Sequence, residues 1–232
     1  LVISSGRADV TDYIEAARGQ QFQVASTIQF RSVVLGNERP QLVEAKAVTT
    51  DYPLRGVLRI SDTPFGDDEA TTAIPAAGEV WVEARLLQLL DLALGDSVSL
   101  GNSSFRIGKL LRYEPDRAGD MFSVAPRVLL NQADLAATGL ISTGSRVSYR
   151  VLIAGPRSSI DNFRRLIRER LKPGEQLLTV DDGRPELNRA LSRAQQFLGL
   201  AALISVLLAG VAVATVAYRF ASRHLDSSAM LR

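Results

Sequence analysis

Few residues in this chain have the type and spacing that chemistry requires. Gly95-Asp96-Ser97 has the outline of a serine nucleophile segment, and a serine nucleophile needs a base within hydrogen-bond reach. The single histidine, His224, lies beyond a long apolar stretch, so the segment reads as a turn feeding a strand. Asp67-Asp68-Glu69 could offer oxygens to calcium but lacks the alternating ligand spacing of a calcium loop, and it reads as a solvated loop. Asn102-Ser103-Ser104 fits a glycosylation acceptor, a tripeptide too common to carry weight alone. Arg164, Arg165, Arg168 and Arg170 form a basic helix face, which in a near-neutral domain reads as solvated. There is no Gly-x-x-x-x-Gly-Lys-Ser/Thr loop to cradle nucleotide phosphates. With no cysteine among 232 residues, disulfides, thiolate metal sites and cysteine nucleophiles are excluded. The expectation is a chain with no catalytic, cofactor-binding or metal-binding residues of its own.

Charge is distributed unevenly. From Glu186 onward the net charge is +3, whereas residues 1–185 carry −1, so the globular part lacks the basic excess of a nucleic-acid binder. The strongest pattern is the uncharged stretch Ala194 to Tyr218. Its 22 residues from Phe197 to Tyr218 would make a helix about 33 Å long, enough for a hydrocarbon core of about 30 Å. Arg219 and Arg223 flank it on one side and Arg189 and Arg193 on the other, so charge does not fix its orientation. Ser205 and Ala209, and Gly210 and Ala214, are small residues four apart, the spacing that admits a neighbouring membrane helix. Leu187, Leu191, Ala194 and Leu198 precede the span at helical spacing, which predicts that the helix continues outward as an amphipathic stalk from Pro185.

These features must be positioned by a mixed globular part. Val2–Ser4 reads as a strand, followed by a helix with Val10, Tyr13, Ile14 and Ala17 on its inner face. Residues 27–35 and 42–48 read as a hairpin around the turn Gly36–Pro40, and 62–78 as a loop. Val80–Val82 leads into a helix with Leu86, Leu87 and Leu90, and 98–100 and 105–111 form a second hairpin. A strand at 127–130 precedes a short helix capped by Asn131. The strand 146–154 ends at Gly155-Pro156, and Ser158 or Ser159 can cap a helix burying Ile160, Phe163, Leu166, Ile167 and Leu171. A strand at 176–180 closes the part. The fold class is α+β, with two βα halves, 1–56 and 146–184, around an inserted segment 57–145. Stalk and membrane helix occupy 185–218, and a further helix begins at 219–232.

In this order the pieces resemble FtsX/MacB-type permeases of bacterial ABC transporters. The segment Arg223-His224-Leu225-Asp226-Ser227-Ser228-Ala229-Met230-Leu231-Arg232 resembles the cytoplasmic segment that follows the second membrane helix there. Tyr52-Pro53-Leu54-Arg55-Gly56 and Ala125-Pro126-Arg127-Val128-Leu129-Leu130 resemble the YbbP-like branch. The resemblance implies a porter-like periplasmic subdomain, 1–56 with 146–184, carrying an inserted second subdomain, 57–145. It further implies an inner-membrane permease with residues 1–185 periplasmic and 219–232 cytoplasmic, binding no cofactor itself. ATP and Mg2+ would be bound by a partner ABC ATPase, contacted through Arg223, Asp226, Ala229 and Arg232. Implied too are mechanotransmission, a hydrophobic or lipid-like substrate, membrane lipids as partners and a periplasmic esterase as a further partner. The competing reading is a membrane-anchored sensor or scaffold, which would need neither stalk nor patterned segment after the span.

Overall fold

The computed structural model describes residues 1–64, 66–117, 125–142, 144–179 and 185–229, and in the last segment the side chains at 195, 197–199 and 201–220. It comprises two compact units, Leu1–Gly183 and Arg184–Arg232.

In the first unit β1 (Val2–Ser5) leads to α1 (Thr11–Gly19), and β2 (Gln23–Gly36) and β3 (Arg39–Val48) form a long hairpin. The turn is tighter than the five residues read from sequence. Gly36 pairs with Arg39, and only Asn37 and Glu38, at φ 47° and 60°, make the reversal. Both residues are in the left-handed region, the geometry of a two-residue turn that matches strand twist. The Asn37 amide donates to the carbonyls of Leu90 (3.3 Å) and Asp91 (2.7 Å), tying the hairpin tip to the end of α2 (Ala84–Leu90). Next come β4 (Leu58–Ser61) and β5 (Glu69–Thr71), the latter a short strand inside the segment expected to be loop. After β6 (Glu79–Val82) and α2, β7 (Ser97–Leu100) and β8 (Ser103–Tyr113) form the second hairpin. β9 (Arg127–Asn131) is followed by a 3-10 turn and α3 (Leu135–Thr138), and the Asn131 side chain accepts from the Ala133 amide at 3.0 Å as expected. β10 (Val147–Ala154), α4 (Arg157–Arg168) and β11 (Gln176–Leu178) complete the unit.

The strands join one mixed sheet in the order β11-β1-β10-β2-β3-β9-β6-β8-β4-β5, with β7 bridging β2 and β8. Strands from the two ends of the unit occupy one side of the order, and strands from 58–131 the other. They meet where β3 and β9 run parallel. Alternation along each strand gives the sheet two faces. One carries Ile28, Phe30, Ala45, Val128 and Val151 and is covered by Tyr13 and Ala17 of α1, Leu86 and Leu90 of α2, and Phe163 and Ile167 of α4. Phe22 meets Phe163 edge-to-face at 5.2 Å. The other face carries a smaller core in which Tyr52, Leu58, Trp81, Leu111 and Leu129 pack together.

Two details of α4 differ from expectation. Ser158 and Ser159 lie inside the helix and Pro156 (φ −59°, ψ 139°) holds the cap position without a side-chain cap hydrogen bond, because the extended backbone at Pro156 gives way to helix already at Arg157. Leu166 is 39% exposed, and Leu171 falls beyond the helix end, leaving Phe163 and Ile167 as its buried residues.

The second unit is α5 (Pro185–Ala229), 45 residues in one helix. Within it Phe197–Phe220 is long and apolar enough to cross a membrane, with a mean hydropathy of 2.6 and none of the window buried against protein.

Candidate functional site

Two features stand out, one on α5 and one inside the sheet. On α5, Ser205, Ala209, Gly210 and Ala214 are all exposed, and a Cβ built on Gly210 meets nothing within 4 Å. At about 100° per residue the pairs Ser205/Ala209 and Gly210/Ala214 lie on roughly opposite sides of the helix, both uncovered. The Ser205 and Thr215 hydroxyls on this span are satisfied internally, Ser205 donating to the Ala201 carbonyl (2.9 Å) and Thr215 to that of Val211 (2.7 Å). This satisfaction is what a hydroxyl in hydrocarbon requires. Arg223, Asp226 and Ala229 continue the helical backbone of α5, and Arg232 lies outside the described residues. The turn Asp181–Gly183 also lies outside them.

The feature that sequence reasoning missed is a buried ion network. Glu44 and Lys46 alternate on β3 and face the second, smaller core, and Lys46 is only 2% exposed. Its Nζ donates to Glu114, to Asp116 at 2.7 Å and to the Tyr52 hydroxyl at 3.0 Å, and lies 4.5 Å from the Tyr52 ring centroid. Tyr52 in turn donates to Glu114 at 2.9 Å and to Asp116. Arg127, at the start of β9, brings Nε to 3.1 Å from Glu114 and Nη1 to 3.4 Å from Glu44, and Gln29 of β2 donates to Glu44 at 2.6 Å. Burial and the two neighbouring carboxylates push the Tyr52 hydroxyl far above its ordinary value. Burial alone would raise the Asp116 carboxyl, but the Lys46 charge and hydrogen bonds from Lys46 and Tyr52 outweigh it and hold that carboxyl below its ordinary value.

This network joins strands from both sides of the sheet order and contains no nucleophile–base pair. Every donor on Lys46 is committed, so its work is structural: it pins the loop after β3 and the loop after β8 onto β3 and β9. Tyr52 and Arg127 come from the two separate motifs that carried the YbbP-like resemblance, and the fold brings them to one carboxylate, Glu114. No sequence signal places Glu114 beside Lys46, because 68 residues separate them.

A second anchoring cluster holds the segment that leads toward α5. The Tyr13 hydroxyl donates to Glu175 and to the Arg170 carbonyl (3.2 Å), and Lys172 pairs with Asp9 at 2.6 Å. Burial and the Glu175 carboxylate raise the Tyr13 hydroxyl to about 12. β11 adds a short antiparallel ladder to β1.

Other sequence candidates resolve into structure. Asp96 accepts from the Ala93 amide at 2.8 Å, so Gly95–Ser97 is a turn entering β7, with Ser97 exposed. Asp68 faces Arg112 at 3.6 Å, and among the described residues no acidic or histidine cluster of metal-holding geometry occurs. Arg165 donates to Asn162 at 2.5 Å on an exposed face of α4.

No protein-family model matches the chain. Over 230 residues it is 31% identical to the uncharacterized ABC transporter permease YbbP of Escherichia coli (strain K12). That match covers 99% of this chain and 28% of the relative, so the chain spans well under half of that protein. The expected resemblance to the YbbP-like branch of FtsX/MacB-type permeases is borne out. Among solved structures the chain is similar to the extracellular domain of the noncanonic ABC-type transporter YknZ from Gram-positive bacteria, at 13% identity and a TM-score of 0.48, covering 77% of this chain and 100% of that one. It is similar also to the periplasmic region of MacB from Actinobacillus actinomycetemcomitans, at 12% identity and a TM-score of 0.48, covering 84% and 91%.

Proposed function

We propose that this segment, alike over nearly its whole length to an ABC transporter permease, is the periplasmic domain and a following membrane helix of such a permease, working by mechanotransmission. ATP with Mg2+ is hydrolysed by a separate cytoplasmic ATPase, and the motion is carried to the periplasmic domain to move a hydrophobic or lipid-like substrate, with a periplasmic esterase as a further partner. The observation that carries this reading is the 31% identity across 99% of the chain. The helix supports it: 45 residues at about 1.5 Å each span about 67 Å, of which the membrane takes about half. The remainder is rigid length on either side, the property a transmitting element needs and a tether does not. The Tyr13–Glu175 contact and the β11 ladder give the chain before α5 a firm hold on the domain.

In this reading residues 1–185 are periplasmic and residues 219–232 cytoplasmic. Arg223, Asp226, Ala229 and Arg232 dock on the ATPase, and the pairs Ser205/Ala209 and Gly210/Ala214 pack against neighbouring membrane helices. The chain has no cysteine, so single cysteines at Ser104 and Ser227 report topology directly. In intact spheroplasts of cells making the full-length permease, an impermeant maleimide should label position 104 and spare 227. Labelling of 227 alone reverses the orientation and ends this reading. Docking is tested by pull-down of the ATPase. The pair Arg223→Glu and Arg232→Glu should lose it, and full retention would show that another segment docks.

A further inference from the structure

The ladder on one edge of β2 is interrupted. β10 pairs with it as far as Val147 opposite Phe30, and β7 takes over at Val34 and Leu35, so Arg31–Val33 have no strand beside them on that edge. A cleft of about 980 Å³ opens at the gap, and three arginines line it: Arg31, Arg146 and Arg150. Register places Arg31 and Arg150 on one face of the sheet, on either side of the Gln29–Ser148 pair, so both long side chains can reach over that pair. The lining includes one carboxylate, Glu44, and it is already engaged by Gln29 at 2.6 Å and Arg127 at 3.4 Å. None of the three arginines is in an ion pair among the described residues, and Arg150 Nε is buried there without a hydrogen-bond partner. A buried guanidinium nitrogen left unpaired is costly, and such donors are retained where they meet an anion.

Immediately beyond Arg31 the same face turns apolar. Val33 and Leu42 are a cross-strand pair, each 50% exposed, and Leu35 follows at 47%. Val33 is two residues from Arg31, about 7 Å along the strand. A cationic cleft thus continues into an uncovered aliphatic strip, a sequence of surfaces that neither a bare ion nor a neutral hydrocarbon would use fully.

We propose that this cleft binds a small amphiphile bearing an oxyanion, its phosphate or carboxylate on Arg31, Arg146 and Arg150 and its alkyl part along Val33 and Leu42. The site stands whether or not the chain moves a cargo. The guanidinium fork suits either oxyanion bidentately, so the head group's identity is left to the probes.

The test is calorimetric titration of the whole 232-residue chain in maltoside micelles with hexyl phosphate, hexanoate, inorganic phosphate and hexanol. At least one hexyl anion should bind saturably, about tenfold or more tighter than inorganic phosphate, and hexanol should not bind. Arg31→Gln, on an exposed side chain, and Arg146→Gln should each weaken it about tenfold, and Arg150→Gln at least as much. Val33→Ser with Leu42→Ser should weaken the hexyl anion and leave inorganic phosphate unchanged. Trp81 fluorescence, from the only tryptophan, verifies that each variant is folded. Absence of saturable binding by both hexyl anions overturns the proposal, as does binding unchanged in folded Arg31→Gln and Arg146→Gln. Inorganic phosphate binding as tightly as the better hexyl anion overturns the amphiphile and leaves a bare-ion site instead.

Discussion

Replacing Lys46 by methionine keeps the aliphatic stem and removes the ammonium shared by buried Glu114 and Tyr52 and half-buried Asp116. Glu114, whose side chain is 1% exposed, would keep Arg127 at 3.1 Å as its one cation beside the Tyr52 hydroxyl at 2.9 Å, and Tyr52 would hold that hydroxyl against two carboxylates with no ammonium between them. Breaking a buried ion pair from one side costs about 3–5 kcal/mol, and the surviving Arg127 contact places Lys46→Met at about 3 kcal/mol. For a unit of this size that lowers the melting midpoint by roughly 6–12 °C. The readout is built in, because Trp81 lies in the same small core as Tyr52 and is 4% exposed. Urea titration followed by Trp81 fluorescence should show the midpoint fall with the slope unchanged. The double variant Lys46→Met, Glu114→Gln removes the orphaned charge as well, so it should be less destabilised than the sum of its singles by about 0.5–3 kcal/mol. A Lys46→Met loss below about 1 kcal/mol, or strict additivity in the double variant, would refute the claim that this network locks the sheet.

Acid should act through Asp116. Its folded carboxyl lies below the unfolded value of about 3.9, so the fold binds fewer protons than the unfolded chain, and this stability is present above about pH 4 and lost as pH falls below it. Asp116→Asn should flatten that part of the stability–pH curve, measured by urea midpoints between about pH 2.5 and 6. Base should act through Tyr13, whose hydroxyl is raised to about 12 in the fold against about 10 unfolded. Its contribution is complete below pH 10 and lost as pH climbs toward 12, and Tyr13→Phe should remove the corresponding late step from a tyrosinate absorbance titration. Phe163→Ala empties a site that is 1% exposed and edge-on to Phe22, and should cost about 3–5 kcal/mol in the same urea assay.

Where local rules decide, the sequence was readable. Tyr13 and Ala17 form the inner face of α1 with Val10 buried at its cap, Asn131 caps the turn it precedes, and the uncharged stretch became a membrane-length helix. Boundaries set by competing local rules shifted, as when Pro156 took the cap position from Ser158 and the β2–β3 turn tightened to two residues. The ion network was illegible for a different reason. Glu44 and Lys46 alternate with apolar neighbours as a solvated strand face would, and only the chain from 52 and 114–116, folding over that face, turns it inward. The arginine cleft is equally non-local, since it exists where β10 stops and β7 begins. The basic residues that did stand out, on α4, are mostly solvated.

The proposed role of α5 is to carry motion from a partner ATPase to the periplasmic domain. It is tested by the full-length permease reconstituted with its ATPase in nanodiscs, bearing an environment-sensitive fluorophore on Ser104→Cys. ATP should change the fluorescence of this reporter. Inserting Gly-Gly after Arg193 breaks helix continuity on the domain side of the span, at a cost of about 1 kcal/mol per glycine, so it should abolish that change while ATPase association and hydrolysis persist. A nucleotide response that survives the insertion undiminished, with the complex intact, would rule out transmission through α5 and leave it a tether.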